Sequence, residues 1–146
     1  MKHLNLFIIL ILLYCCSCNN VYLNREEDNE KGKVLLTDFY TKISDGDFEK
    51  IDKIVSDSLK QIAGPDGLSK LLKSINNKIG RYKSYTIEDH YTRCFTGKKN
   101  ETDYFYKLKV VYDKGITDEV IRFTKQNNGA EGKINSYHAY SDLLLK

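Results

Sequence analysis

The residues best suited to moving protons in this chain are Asp89, His90 and His138. A carboxylate and an imidazole that share one dry cavity can act as general acid and base, as in isomerisation or dehydration. Asp89 and His90 are adjacent, and neighbours in a strand face opposite ways, so both point inward only if the strand bulges. His138 alternates with Ile134, Ser136 and Tyr140 and can face either side. Metal chemistry finds no foothold, since there is no H-x-x-H or E-x-x-H spacing and no acidic EF-hand loop. Asp45-Gly46-Asp47 reads as a helix boundary, and Gly64-Pro65-Asp66-Gly67 lacks the Gly-Lys-Ser/Thr of a phosphate loop. Neither a metal nor another cofactor is therefore expected. Nine of the 11 tyrosines lie beyond residue 30, and Tyr85, Tyr104, Tyr106 and Tyr140 are the candidates for ligand contact. Packing across half-buried strands is the competing use for such rings.

A second constellation, at the amino terminus, concerns location. Lys2 and His3 precede the apolar run Leu6 to Tyr14, which has signal-peptide length and falls short of the roughly 20 residues needed to span a bilayer. Cys15, Cys16, Ser17 and Cys18 follow. A small residue directly before a cysteine at the end of a secretory run resembles the lipobox of bacterial lipoproteins, although Cys15 stands where that motif prefers Leu, Val or Ile. The resemblance implies cleavage before Cys18, a thioether-linked diacylglycerol on its sulfur, and an amide-linked acyl chain; Cys16 is the alternative modified residue. Two or three acyl chains anchor stably, at about 0.8 kcal/mol per buried methylene. The expected partition is a signal peptide over 1–17, a lipidated cysteine and polar tether over 18–30, and one domain over 31–146. Only Cys94 then remains as a thiol in the domain, so neither an internal disulfide nor a Cys-based zinc site can form. Buried and inert is the common state of such a thiol.

These residues need elements to position them. The chain has 146 residues, 41% hydrophobic and 29% charged, with a formal net charge of +3, which fits one ordinary domain and excludes a strongly basic nucleic-acid binder. Leu35, Leu36, Phe39, Tyr40 and Ile43 recur at helical spacing, and Gly46 offers a left-handed stop. Asp47 is placed to cap a second helix with Phe48, Ile51, Ile54 and Val55 inward. Pro65 opens a third, striped by Leu68, Leu71, Leu72, Ile75 and Ile79 and ended by Gly80.

Beyond Gly80 the period falls to two. Tyr85, Ile87, Asp89 and Tyr91 are expected on one face, and Tyr104, Tyr106, Leu108, Val110 and Tyr112 on one face of the next strand. Asp113-Lys114-Gly115 reads as a tight hairpin, Glu119, Ile121 and Phe123 line a third strand, and Lys133 to about Leu143 supplies a fourth. Lys98, Lys99, Lys107, Lys109 and Lys114 are expected as a solvated rim opposed by Asp103, Asp113 and Glu119. The expected class is α+β: three N-terminal helices packed on a curved antiparallel sheet of about four strands.

Phe39-Tyr40 with Ser44-Asp45-Gly46-Asp47-Phe48, then Ile79-Gly80-Arg81-Tyr82-Lys83-Ser84, and finally Lys133-Ile134-Asn135-Ser136-Tyr137 carry a resemblance. Together they are similar to the cone-shaped, cystatin-like fold of the nuclear-transport-factor-2-like superfamily, including small exported domains of unknown function. Those domains often carry tryptophan and glycine near the last strand; this chain has no tryptophan, and Ser136 replaces the glycine. The resemblance implies an apolar pocket between helices and sheet. The expected function is a lipid-anchored, extracytoplasmic protein of the bacterial inner or outer membrane. Its domain is expected to be a non-catalytic binding module for a small apolar ligand or a protein partner. The alternative is a small pocket enzyme of isomerase or hydratase type using Asp89 or His90 and His138. Fold likeness alone decides no chemistry.

Overall fold

The computed structural model describes residues 20–129 and 131–145. The signal run and the cysteines Cys15, Cys16 and Cys18 lie outside the described residues. Five strands, β1 (Asn20–Leu23), β2 (Tyr82–Thr96), β3 (Glu101–Tyr112), β4 (Gly115–Gln126) and β5 (Lys133–Tyr140), form one antiparallel sheet in sequential order. Four helices, α1 (Glu26–Asp45), α2 (Phe48–Lys53), α3 (Asp57–Ala63) and α4 (Gly67–Ile79), separate β1 from β2. Among the described residues no helix is long and apolar enough to cross a membrane.

The α+β class with N-terminal helices and an antiparallel sheet is as expected, but two counts change. A fifth strand comes from the segment expected as a tether: Asn20 to Leu23 pair with Thr96 to Arg93. All four β1 side chains are exposed, so no apolar alternation marks the strand. The helix expected from about Lys31 begins at Glu26, inside the same segment, with Glu26, Glu27 and Asp28 at the dipole-favoured first turn. A fourth helix, α3, buries no residue and is marked only by its Ser56 cap, whose hydroxyl accepts the Leu59 N–H. The last strand ends at Tyr140, and Asp142–Leu144 forms a 3₁₀ turn.

The apolar stripe of α1, Leu36, Phe39, Tyr40 and Ile43, packs with Ile51, Ile54 and Val55, with Leu68, Leu72, Ile75 and Ile79 of α4, and with the inner sheet face. Leu71, expected in the α4 stripe with Leu68 and Leu72, is exposed. Gly46 closes α1 at φ 74°, the left-handed geometry that glycine adopts without strain. Val55 bridges Ile134 in parallel, so the backbone after α2 covers part of the β5 edge.

The inner face carries Tyr104, Tyr106, Leu108, Val110 and Tyr112 of β3 and Ile121 and Phe123 of β4, all buried. The alternation of β2 is not the expected one. Register shifts lie between Tyr82 and Ser84 and between Ile87 and Asp89, so the face reverses at Glu88. Tyr85 and Ile87 share the inner face with His90, Thr92 and Cys94, while Asp89 and Tyr91 fall on the other. A shift at Arg122/Phe123 does the same for β5, placing Ile134 and Tyr137 inward and His138 and Tyr140 outward.

Candidate functional site

The candidate acid–base residues are not brought together. Asp89 and His138 lie on the outer sheet face on β2 and β5, separated by β3 and β4, roughly 14 Å at the usual strand spacing. His90 is exposed at the sheet edge, its ring parallel to Tyr106 at 6.1 Å. His138 is exposed and stacks on Tyr140 at 6.3 Å. The candidate ligand tyrosines divide similarly. Tyr104 and Tyr106 are packed inside the core. Tyr85 is half-buried against Tyr40 at 4.8 Å and hydrogen-bonded to Thr37 at 3.3 Å. Tyr140 is exposed on the opposite face.

The interior holds a polar centre at Glu119, a residue expected on the solvated lysine rim. Glu119 is fully buried, on the inner face between Thr117 and Ile121. Its Oε1 accepts hydrogen bonds from Tyr112 Oη at 2.8 Å and Thr117 Oγ1 at 2.7 Å. Its Oε2 accepts from Tyr40 Oη at 2.8 Å and Tyr137 Oη at 2.6 Å. Four donors fill the four lone-pair directions of a carboxylate, so the group is satisfied by hydroxyls alone. Burial, and then the Glu119 charge, push the Tyr40, Tyr112 and Tyr137 phenols up, well above their ordinary range. Burial likewise pushes Tyr104 up to about 12. Phe39, Tyr82 and Tyr85 close around Tyr40 with ring centroids 4.8–5.1 Å away. The centre is a buried hub that ties α1, β3, β4 and β5 together through one carboxylate. The signal for it was present: Glu119 falls in register with Ile121 and Phe123, on a face shared with tyrosines.

The other acids of the expected lysine rim do sit at the surface. Asp103 faces Arg93 at 3.6 Å and Lys99 at 3.9 Å. Asp113 accepts the Arg81 N–H at 2.8 Å and pairs with Lys83 at 2.9 Å, which together hold its carboxyl below the usual carboxylate range. Cys94 is a buried free thiol, 3.5 Å from Asn127 Nδ2. It lies beside a cavity of about 360 Å³ whose lining also includes Arg25, Asp28, Lys31 and Lys125. There the buried Asp28 is held by Arg25 Nε at 2.7 Å. Among the described residues, no cluster of three or more His, Cys, Asp or Glu side chains could hold a metal ion.

The outer face of the sheet has a different composition from the interior. Tyr91 and Phe105, paired across β2 and β3, stack at 4.8 Å with planes 12° apart. The Arg122 guanidinium lies 5.2 Å from the Phe105 ring, and Arg93 and Lys99 lie 5.1 and 4.1 Å from the Phe95 ring. Val21 of β1, paired with Phe95, and Leu23, paired with Arg93, extend this surface. Their exposures are 52% and 66%. A shallow groove of about 210 Å³ runs between Tyr91, Phe105, Arg122 and Asn135. Aromatic rings bracketed by guanidinium and ammonium groups suit adhesion to a surface.

Comparison of the chain with protein-family models finds no match, and comparison with curated protein sequences finds none either.

Proposed function

We propose that this chain is a bacterial envelope lipoprotein. In this reading it is acylated at Cys18, and its cystatin-like domain is a non-catalytic binding module working through the outer face of its sheet. The observation that carries the binding half is the Glu119 hub. The space where a pocket enzyme of this architecture would hold substrate is filled by Tyr40, Tyr112, Tyr137 and their carboxylate. The residues with acid–base chemistry stand apart at the surface, and the half-buried Tyr91–Phe105 stack lies on the outer sheet face. The anchoring half rests on the apolar run and on the Ser17-Cys18 step.

The test is metabolic labelling with a radiolabelled fatty acid in a bacterial host. The native chain should incorporate label, mature to a smaller form and accumulate its precursor under globomycin. Cys18→Ala should lose both label and maturation. Labelling that survives in Cys18→Ala and disappears in Cys16→Ala would move the anchor; labelling absent from the native chain would end the lipoprotein reading.

A further inference from the structure

The segment after Cys18 does not behave as a spacer. Asn20 is already paired with Thr96, so at most about 7 Å of extended chain separates the Cα atoms of Cys18 and Asn20. The corner from β1 into α1 is clasped to β2. Asn24, at φ 51°, donates its N–H to Thr92 O at 3.0 Å and accepts the Thr92 N–H on Oδ1 at 2.8 Å. Asn29 Oδ1 accepts the Thr92 hydroxyl at 3.0 Å. The β1 end of the sheet therefore stands at the anchor, with no slack to lift it away.

From this we propose that the β1 corner of the outer sheet face rests in the interface of the bilayer to which Cys18 is acylated. The proposal rests on acylation at Cys18 and names the partner of the outer face as the membrane itself. The corner has the composition of an interfacial patch. Val21 and Leu23 supply exposed aliphatic surface, Tyr91 supplies a ring of the kind that settles at headgroup depth, and Phe95 and Phe105 add apolar ring surface beside it. Arg93, Lys99 and Arg122 bracket those rings, with stems that can lie along acyl surface while their charges reach phosphate. The carboxylates facing them are Glu101, 2.8 Å from Lys99, and Asp103. Three cations against two carboxylates leave a small positive surplus, so apolar burial carries the contact and attraction to anionic lipid can only add to it.

The absence of tryptophan gives a clean test in the full acylated protein. Leu23→Trp places a single fluorophore on β1, and Val34→Trp places one on α1, in the layer away from the outer sheet face. The two parent side chains are almost equally exposed, at 66% and 68%, so the rings differ in location and not in accessibility. Each variant is purified in detergent, its acylation read by intact mass, and reconstituted into phosphatidylcholine vesicles containing lipid brominated high on its acyl chains. Leu23→Trp should emit to the blue and lose roughly half its intensity to bromine, as expected for a group about 5–10 Å into the headgroup–acyl boundary. Val34→Trp should stay red and unquenched. An acylated protein with both variants unquenched would overturn the proposal and leave the lipoprotein reading standing. A blue-shifted but unquenched Leu23→Trp would mean that protein, such as a second copy, covers the patch, and would also overturn it. Absence of acylation in the native chain would overturn both.

Discussion

Replacing Glu119 by glutamine removes one oxygen and one charge with almost no change of shape, and the structure sets what that should cost. The carboxylate accepts two hydroxyls on each oxygen, Tyr112 and Thr117 on one and Tyr40 and Tyr137 on the other. Hydrogen bonds to a charged group contribute about 1.5–3 kcal/mol each, roughly twice their neutral counterparts. Four of them, about 6–12 kcal/mol, offset the several kcal/mol needed to bury the ion. In Glu119→Gln, whichever oxygen becomes NH₂ meets two donors. Both hydroxyls can turn to accept its two N–H groups, but their own protons then lose their acceptor at about 1–3 kcal/mol, and the remaining bonds become neutral ones. The relief of burying an amide instead of a charge recovers part of this, leaving a net loss of about 2–4 kcal/mol. For a domain of this size that is a fall in Tm of roughly 10 °C. The assay is urea unfolding of the chain from Asn19 to Lys146 without lipid, followed by far-ultraviolet circular dichroism, with the midpoint read at an unchanged slope. Tyr137→Phe combined with Glu119→Gln should show a coupling of about 1–2 kcal/mol. A Glu119→Gln variant within about 0.5 kcal/mol of the parent would refute the hub as a stabilising centre.

Other expectations follow from single contacts. A methyl group built on Gly32 would overlap the Tyr106 hydroxyl and come within 2.6 Å of Tyr104 Cδ1, so Gly32→Ala should cost about 1–3 kcal/mol despite its better helix propensity. Tyr106 Oη is buried without a hydrogen-bond partner among the described residues, so Tyr106→Phe should be neutral or stabilising in the same urea titration. Alkaline pH should destabilise the fold. The unfolded phenols ionise near pH 10, while native Tyr104 waits until about 12 and Tyr40, Tyr112 and Tyr137 are also raised. Their contribution is intact below about pH 10 and is lost as pH rises, which urea midpoints and phenolate absorbance between about pH 8 and 12 should follow. Asn24→Gly should cost about 1 kcal/mol through the lost Thr92 bond, and Asn24→Ala a further 1–2 kcal/mol through the left-handed backbone. Hydrogen exchange of the β1 amides should rank the two.

The readable parts of the sequence are those where burial and period coincide. Leu36, Phe39, Tyr40 and Ile43 mark α1, Gly46 and Gly80 mark stops, and β3 and β4 alternate as written. Polar segments are held by contacts that leave no periodic trace. β1 depends on backbone pairing with β2, the start of α1 on Asp28 with Arg25, and α3 on its Ser56 cap. The bulge at Glu88 decided the proposed chemistry, because one inserted residue exchanged the faces of Asp89 and His90. No short-range pattern announces it. Its consequence is visible only against β3, where Glu88 reaches Lys107 at 3.3 Å and Lys109 at 3.4 Å on the outer face.

The hub and the outer face are two consequences of how tyrosine is distributed over the sheet. Tyr112 and Tyr137 on the inner face bring hydroxyls into a dry core, and a single carboxylate satisfies both together with Tyr40 of α1 and Thr117, while Tyr106 Oη has no partner among the described residues. A core solved in this way is full, so space for a guest would have to be opened against both the hydrogen bonds of Glu119 and the packing of Phe39 and Tyr40. Rings on the outer face meet no such demand, because among the described residues no helix packs on that side. The same distribution leaves aromatic surface on the outer face, beside the strand that follows Cys18. On this argument a variant that weakens the hub should loosen the core without changing the quenching of Leu23→Trp by brominated lipid. A Glu119→Gln protein that still folds but loses that quenching would show the two faces to be coupled, and would refute the separation drawn between them.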